Sequence, residues 1–337
     1  MARGERGAVV SRAALLVTGA TGLIGSALVR SAAARGWRTC AAVRDTVRAR
    51  TLFAGLTDVE PVAWSFPPGG ALPARRVDES LYVVHAASPT SGRYFSEHPA
   101  ETESFIREST RSLLEYAVRE GAAGFVFLSS MEAYGSPATD APLDEAAGFA
   151  GDFSAPRSSY ARGKRAAEAL CAEFAVRFGL RAMSVRLAQT FGRGVPSTES
   201  RVFAQFLRSA RAGEPIRLAT AGTSTRMYLE TEDAVSAIET VLGRGAAGEI
   251  YNAANPATYC SLAEMARLVN DRFGGAGVLL GRDDDPANAC YPPPHHLRLD
   301  VAKLTALGWR PRFGLAEAYD RMAESLGCAA DSGGGET

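Results

Sequence analysis

Lysine is almost missing from this chain: of its 37 basic residues two are lysine, Lys164 and Lys303, and 35 are arginine. Other scarcities exclude whole classes of function. The 37 acidic residues cancel the 37 basic ones, and a zero balance argues against nucleic-acid or anionic-membrane binding. The five cysteines (Cys40, Cys171, Cys260, Cys290, Cys328) are scattered, odd in number and form no CxxC pair. They read as free, mostly core thiols in a reducing compartment. Of four histidines, His295 and His296 are adjacent and point in different directions, while His85 and His98 have no cysteine or carboxylate partners at ligand spacing, so no metal is expected. No apolar run approaches the roughly 18 residues of a membrane helix. The basic N-terminus leads into a glycine turn instead of a cleavage site, which excludes a signal peptide. A cytoplasmic protein is expected, with residues 1–11 and 329–337 as mobile tails.

What is present is an alternation of short apolar runs with longer amphipathic segments. "ALLVTGA", "RTCAAVR", "VEPVAW", "LYVVHAAS", "GFVFLSS" and "AMSVRLA" are strand candidates, and helices are expected around 99–120 and 157–178. Runs apolar on both faces and joined by helices imply a parallel sheet covered on both sides, a doubly wound α/β core. After about residue 190 the texture changes. "FGRGVPSTES" and "LATAGTSTR" read as loops, "TEDAVSAIETVL" and "SLAEMARLVNDRF" as helices, the latter with a Ser261/Glu264 capping box. "RDDDPANACYPPPHH" is too rich in proline for regular structure and is expected to cross the surface near a ligand or interface. The expected organisation is a nucleotide-binding domain over 12–190, with 226–255 returning to it, and a smaller α/β substrate lobe over 191–325.

"VTGATGLIGSALV" sets Gly19, Gly22 and Gly25 between the first strand and the first helix. Glycines there permit a tight turn, let backbone N–H groups of the Thr21, Leu23 and Ile24 segment approach a pyrophosphate, and let the helix pack on the sheet. The strand before and the helix after are the context such a motif needs. The core is thus read as a Rossmann sheet binding a dinucleotide. About twenty residues on, at the end of the second strand, stand Arg44 and Asp45. An arginine there accommodates the 2′-phosphate of NADP, whereas an acidic residue would take the ribose of NAD. Arg44 favours NADP; the other reading has Arg44 stacking on adenine and Asp45 on the ribose.

Tyr160 and Lys164 are four apart and share a helix face. An ammonium near a phenol favours the phenolate, so Tyr160 is expected to have a lowered pKa and to act as a general base toward a sugar hydroxyl. A compact ammonium can also bond a cofactor ribose, where a guanidinium fork has the wrong shape. This accounts for a lysine in a chain that avoids them. A third member should hydrogen-bond the same hydroxyl, and Ser130, at the carboxyl end of the strand "GFVFLSS", is chosen over Ser129.

"TGATGLIG", "HAASPT", "LSSMEAYG", "YARGK" and "RLAQTFG", in this order and spacing, resemble the extended short-chain dehydrogenase/reductase family, in its nucleotide-sugar epimerase, dehydratase and decarboxylase group. The similarity runs from about residue 12 to 325. It implies a tightly bound NAD(P), bordered by Ala86 and Ala87, that oxidises a nucleotide-activated sugar at C4 so that the C5 proton becomes acidic. The trio Ser130-Met131-Glu132 stands where family 4,6-dehydratases have Thr-Asp-Glu and decarboxylases Thr-Ser-Glu. Glu132 is therefore the candidate C5 base, while Met131 cannot donate a proton. Ser88, Thr90, Met131 and Gln189 are expected to line the sugar. Arg226 and Arg298 match family arginines that grip the diphosphate, with Arg201 near the base end, and arginine offers phosphate a planar fork. Ile106 replaces a structural family asparagine, and Gln189 replaces an asparagine after the sixth strand. His85 is expected to be a packing residue bordering the cofactor.

The leading reading is a nucleotide-sugar dehydratase acting through a transient C4 ketone. The alternatives are C4 or C5 epimerisation, decarboxylation of a uronic acid, NADPH-dependent ketone reduction, and a dinucleotide-binding regulator without catalysis. The substrate is a nucleotide sugar or a related nucleoside. The resemblance also implies a homodimer through the helices at 99–120 and 157–178.

Overall fold

A computed structural model of the protein describes residues 12–67, 72–284 and 294–331. The chain opens with β1 (Arg12–Thr18), α1 (Leu23–Ala34), β2 (Arg38–Val43), α2 (Thr46–Leu52) and β3 (Val59–Ala63). It continues through β4 (Glu79–His85), α3 (Gly92–Glu97), α4 (Pro99–Arg119), β5 (Gly124–Ser130) and α5 (Ser159–Phe178), then β6 (Ala182–Leu187) and β7 (Gln189–Thr190). The second half holds α6 (Val202–Arg211), β8 (Ile216–Leu218), β9 (Thr225–Leu229), α7 (Thr231–Arg244), β10 (Ile250–Ala253) and β11 (Asn255–Ser261). Last come α8 (Leu262–Phe273), β12 (Val278–Leu280), β13 (His296–Leu297), α9 (Ala302–Ala306) and α10 (Leu315–Asp331).

Seven strands form one sheet in the order β10-β6-β5-β4-β1-β2-β3, with every neighbouring pair parallel. This is the doubly wound Rossmann order, reversing direction between β1 and β4. The strands read as continuous apolar runs because both faces are covered. Leu15, Val17, Val126 and Val185 enter one core with Leu28 and Val29 of α1 and Ile238 and Val241 of α7. Their neighbours Ala14, Leu16, Phe125 and Phe127 enter the other, with Leu113 and Leu114 of α4 and Leu170 and Phe174 of α5. Gly179, left-handed at φ 65°, ends α5.

The smaller unit has its own core, where Phe191, Phe203, Phe206 and Tyr319 meet under α6, α8 and α10. Its sheet runs β11-β9-β13 with β7 beside β9, and β8 pairs with β12. Thus α7 and β10 lie with the parallel sheet, whereas β9 belongs to the smaller one. The stretch "LATAGTSTR" is a loop only at its centre, because Leu218 ends β8 and Thr225 and Arg226 open β9. The Ser261/Glu264 capping box is present. The helix expected from 157 begins as a 3-10 turn, Pro156–Ser158, before α5. Helix α10 extends to Asp331, so residues 329–331 are helical instead of part of a tail. Residues 1–11 and 332–337 and most of the proline-rich stretch lie outside the described residues. Cys40 and Cys171 are buried free thiols and Cys260 is half-buried; Cys290 and the Cys328 side chain are outside the described set.

One buried ion pair joins α5 to the sheet. Arg186 (β6) and Glu168 (α5) are 1% and 4% exposed. Arg186 donates to both Glu168 carboxylate oxygens at 2.8 and 2.7 Å, and Ser129 Oγ donates to one of them at 2.5 Å. Removing one member of such a pair leaves the other charge buried, at a cost of about 3–5 kcal/mol. Glu168→Ala is expected to lower the free energy of urea unfolding by that amount. A loss below ~1 kcal/mol would mean that Arg186 finds water or another acceptor.

Candidate active site

The carboxyl ends of β1, β4, β5 and β6 face one cleft, and the residues expected to carry chemistry stand along it. At the end of β1, Gly19 is left-handed at φ 65°, and a Cβ on it would come within 2.8 Å of the Ala87 backbone. A Cβ on Gly25 would lie 2.2 Å from the Gly19 carbonyl. Neither position tolerates a side chain, so the turn holds the start of α1 tightly against the ends of β1 and β4. Gly22 N-caps α1 with no side-chain hydrogen bond. The first-turn N–H groups, which include those of Leu23, Ile24 and Gly25, are therefore presented without a protein side-chain acceptor, as an anion site requires. Thr21, Leu23 and Ile24 are partly exposed around this turn. At the end of β2, Arg44 and Asp45 are exposed, and Asp45 Oδ1 accepts the Arg48 N–H at 2.9 Å to cap α2.

His85 ends β4 inside a hydrogen-bonded chain instead of merely packing there. Its Nδ1 lies 2.7 Å from Thr18 Oγ1 and its Nε2 3.1 Å from Ser109 Oγ. Ser109 Oγ donates to the Ile106 carbonyl and Thr18 Oγ1 accepts the Ala87 N–H. The consistent pattern is a neutral ring donating from Nε2 and accepting at Nδ1. Burial, with Lys164 nearby, pushes the His85 pKa down to about 3. This chain ties the glycine turn to Ala86 and Ala87, which are partly exposed beside it. Ile106 is buried on α4, and its Cδ1 would lie 3.0 Å from a Cβ on Gly163. The contact lets α5 approach α4 one residue before Lys164.

Tyr160 and Lys164 are both buried on α5. Lys164 Nζ donates to the Leu128 carbonyl at 2.6 Å and lies 5.2 Å from the Tyr160 ring centroid and 4.7 Å from that of Phe127. The expected lowering of the Tyr160 pKa is reversed in this structure. Burial raises it well above the usual phenol value, and Glu132 adds to the rise. Ser88, Ser130 and Arg201 act the other way. Burial also lowers Lys164, to about 7, against the opposing charges of Glu168 and Glu132. Helical spacing brings the two groups together, but desolvation disfavours the charged form of each. Ser88 Oγ is buried beside the Tyr160 hydroxyl and acts to lower its pKa. The uncapped start of α1 and the clash-bound glycines fit a dinucleotide at this edge of the sheet.

Ser130 closes β5, and its Oγ accepts the Glu132 N–H at 3.2 Å, opening a 3-10 turn over Met131–Tyr134. The turn sends consecutive side chains opposite ways. Met131 is 4% exposed and packs in the core with Leu128, Val185 and Met227. Glu132 turns outward, and its Oε2 accepts from Arg157 Nη1 at 3.0 Å. The Arg157 guanidinium lies 5.2 Å over the Phe95 ring. Phe95 in turn stacks on Tyr160 at 4.4 Å and 9°. Reading the sequence missed Arg157 and Phe95. Arg157 had a signal, three residues before Tyr160; Phe95 had none, because α3 reaches the site only through the fold.

The substrate-side residues are spread more widely. Thr90 is exposed, and Gln189 is half-buried on β7. Arg201 caps α6 and forks onto Glu199 at 2.9 and 2.6 Å, yet its charge still reaches Tyr160. Arg226 Nε is buried without a partner, while its Nη2 lies 3.3 Å from His295 Nε2. Arg298 is exposed over the Tyr259 ring at 5.7 Å. Among the described residues no group of three or more His, Cys, Asp or Glu could hold a metal, and no helix is long and apolar enough to cross a membrane.

A parallel Rossmann sheet with a Ser-Tyr-Lys set at its carboxyl edge defines the extended short-chain dehydrogenase/reductase class. Residues 15–254 match the NAD dependent epimerase/dehydratase family, and the chain belongs to that family. It is 27% identical over 318 residues to UDP-glucuronic acid decarboxylase 6 of Arabidopsis thaliana, covering 93% of this chain and 88% of the relative. It is 28% identical to UDP-glucuronic acid decarboxylase 1 of Xenopus tropicalis over 73% of this chain, spanning 58% of that relative's length. The fold is shared with the epimerase Mth375 of Methanothermobacter thermautotrophicus, at a TM-score of 0.78, 20% identity and 96% and 94% coverage of the two chains. It is likewise shared with MoeE5 in complex with UDP-glucuronic acid and NAD, at 0.75, 23% identity, and 94% and 99% coverage.

The His85 chain has a pH signature. The folded pKa lies below the ordinary histidine value near 6.5, so the unfolded chain binds the extra proton first as pH falls. The stability associated with neutral His85 is complete above about pH 6.5 and falls by about 1.4 kcal/mol per pH unit below it. Denaturant unfolding between pH 7 and 5 is expected to show a shallower pH slope in His85→Phe than in the parent protein. Equal slopes would place the ring in contact with solvent.

Proposed function

We propose that the protein is a nucleotide-sugar dehydratase that works by internal redox at C4 and proton removal at C5. The observation that carries this reading is Glu132, a carboxylate held in the cleft by Arg157 beside the buried pair Tyr160 and Lys164. A bound NAD(P) supplies the hydride acceptor and later the hydride donor. Ser130 hydrogen-bonds the C4 hydroxyl while Tyr160 takes its proton as a phenolate, a form that the positive ring of an oxidised dinucleotide beside it would favour against desolvation, and the oxidised C4 carbonyl acidifies C5. Glu132 removes the C5 proton and returns it to the departing C6 hydroxyl, which leaves as water. One carboxylate serving both steps suits a syn elimination and needs no acid at position 131, consistent with Met131 turning into the core.

A second reading, decarboxylation of a uronic acid, is favoured by the names of the curated relatives. For the cofactor, Asp45 is engaged in capping α2, and Arg44 makes no ion pair or hydrogen bond among the described residues. That leaves Arg44 available to a 2′-phosphate and favours NADP within an NAD-dependent family. A homodimer through α4 and α5 completes the proposal.

Incubation in D2O with UDP-, dTDP-, GDP- and CDP-hexoses and uronic acids tests the reaction by mass and NMR. Loss of water is expected, with deuterium at C5 of the recovered sugar wherever proton removal reverses before water leaves, and both should disappear in Glu132→Gln. Loss of carbon dioxide would establish the second reading, and neither loss would leave epimerisation. Tyr160→Phe is expected to lose roughly 100-fold or more in turnover while still binding dinucleotide. Full activity in that variant would remove the mechanism.

A further inference from the structure

Glu132 stands on a single turn of 3-10 helix, and its carboxylate has one hydrogen-bond partner among the described residues, Arg157 Nη1 at 3.0 Å. With three side-chain torsions and 37% side-chain exposure, an unpaired glutamate here would sample several rotamers. Arg157 is held differently. Its guanidinium lies over Phe95, which is 2% exposed and stacked on Tyr160. The Phe95 carbonyl also accepts from Ser159 Oγ at 3.0 Å, tying α3 to the first turn of α5. The groups form one physical series: Glu132, Arg157, Phe95, Tyr160. The two acid–base residues are therefore spaced by a guanidinium and an aromatic ring and not by chance proximity on two separate elements.

We propose that Arg157 is a positioning residue for the C5 step, fixing the Glu132 carboxylate relative to Tyr160 through the Phe95 stack. It rests on the reading of Glu132 as the C5 base. The C4 hydroxyl is assigned to Ser130 and Tyr160 and the dinucleotide to the glycine turn, whereas Arg157 meets Glu132 and Phe95, so its loss separates the two halves of the reaction. Oxidation at C4 moves a hydride to the dinucleotide and a proton from the sugar hydroxyl to Tyr160, and it does not involve Glu132. Transfer of the C5 proton to Glu132 requires the carboxylate to be aimed. Lysine at 157 would keep a cation for Glu132 but could not lie flat on the ring as a planar guanidinium does.

The test uses dinucleotide-loaded enzyme with UDP-glucose and, separately, UDP-glucuronic acid. Near-ultraviolet absorbance reports reduced dinucleotide, and NMR in D2O reports exchange at C5. In Arg157→Gln, C5 exchange is expected to fall by roughly 10–100-fold, the scale of a misplaced group, with reduced dinucleotide accumulating. Arg157→Lys should recover part of the exchange, and KM should stay within about threefold in both variants, since uniform binding is untouched. If Glu132→Gln abolishes exchange and Arg157→Gln does not, the positioning role is overturned and the base assignment stands. If Glu132→Gln leaves exchange intact, the base assignment fails and takes this proposal with it. An equal loss of dinucleotide reduction and exchange in Arg157→Gln would also overturn it, because Arg157 would then serve the whole site.

Discussion

The Glu168 carboxylate is the point on which the cleft is hung. Two charges taken out of water are tolerated only where hydrogen bonds satisfy them, and Glu168 accepts from Arg186 Nε and Nη2 and from Ser129 Oγ. That requirement fixes α5 against β5 and β6 in one register. One helical turn before Glu168, Lys164 reaches the Leu128 carbonyl; one residue after Ser129 stands Ser130. Arg186 also lies over Tyr134, whose hydroxyl meets Asn252, and the Asn252 amide donates to the Leu143 and Asp300 carbonyls. The buried pair therefore links the candidate acid–base residues to the segment that follows β13.

Desolvation sets the electrostatics of the site more strongly than any single charge. It raises Tyr160 and lowers Lys164, pushing both toward neutrality. Glu168 and Glu132 oppose it at Lys164, and the Ser88 and Ser130 hydroxyls oppose it at Tyr160. The Glu132–Arg157 pair is of another kind. Half-exposed ion pairs contribute only about 0–1 kcal/mol to stability, so what this one provides is geometry. Its guanidinium and the Phe95 ring place a carboxylate near a buried phenol without burying the carboxylate itself.

Much of the fold was legible because its strands obey a simple rule. β5, "GFVFLSS", has the same limits in sequence and structure, since a run apolar on both faces has few other solutions. Glycine at 19 and 25 was legible for a similar reason: the turn leaves no room for a Cβ. The smaller lobe was less readable. β7 and β13 are two residues long, and β9 gains its identity from partners at 189–190, 255–261 and 296–297. Met131 and Glu132 are adjacent in the chain, and only the 3-10 turn decides that one packs inward while the other meets the cleft.

The sequence by itself determined the sheet, the nucleotide turn and the spacing of Tyr160 and Lys164, because each depends on residues near in the chain or on periodicity. Only the tertiary structure decided that Phe95 lies on Tyr160, that Arg157 holds Glu132, and that burial raises the pKa of the phenol. Stacking, pairing and desolvation arise between segments that only folding brings together, and no local pattern records how much water is left between them.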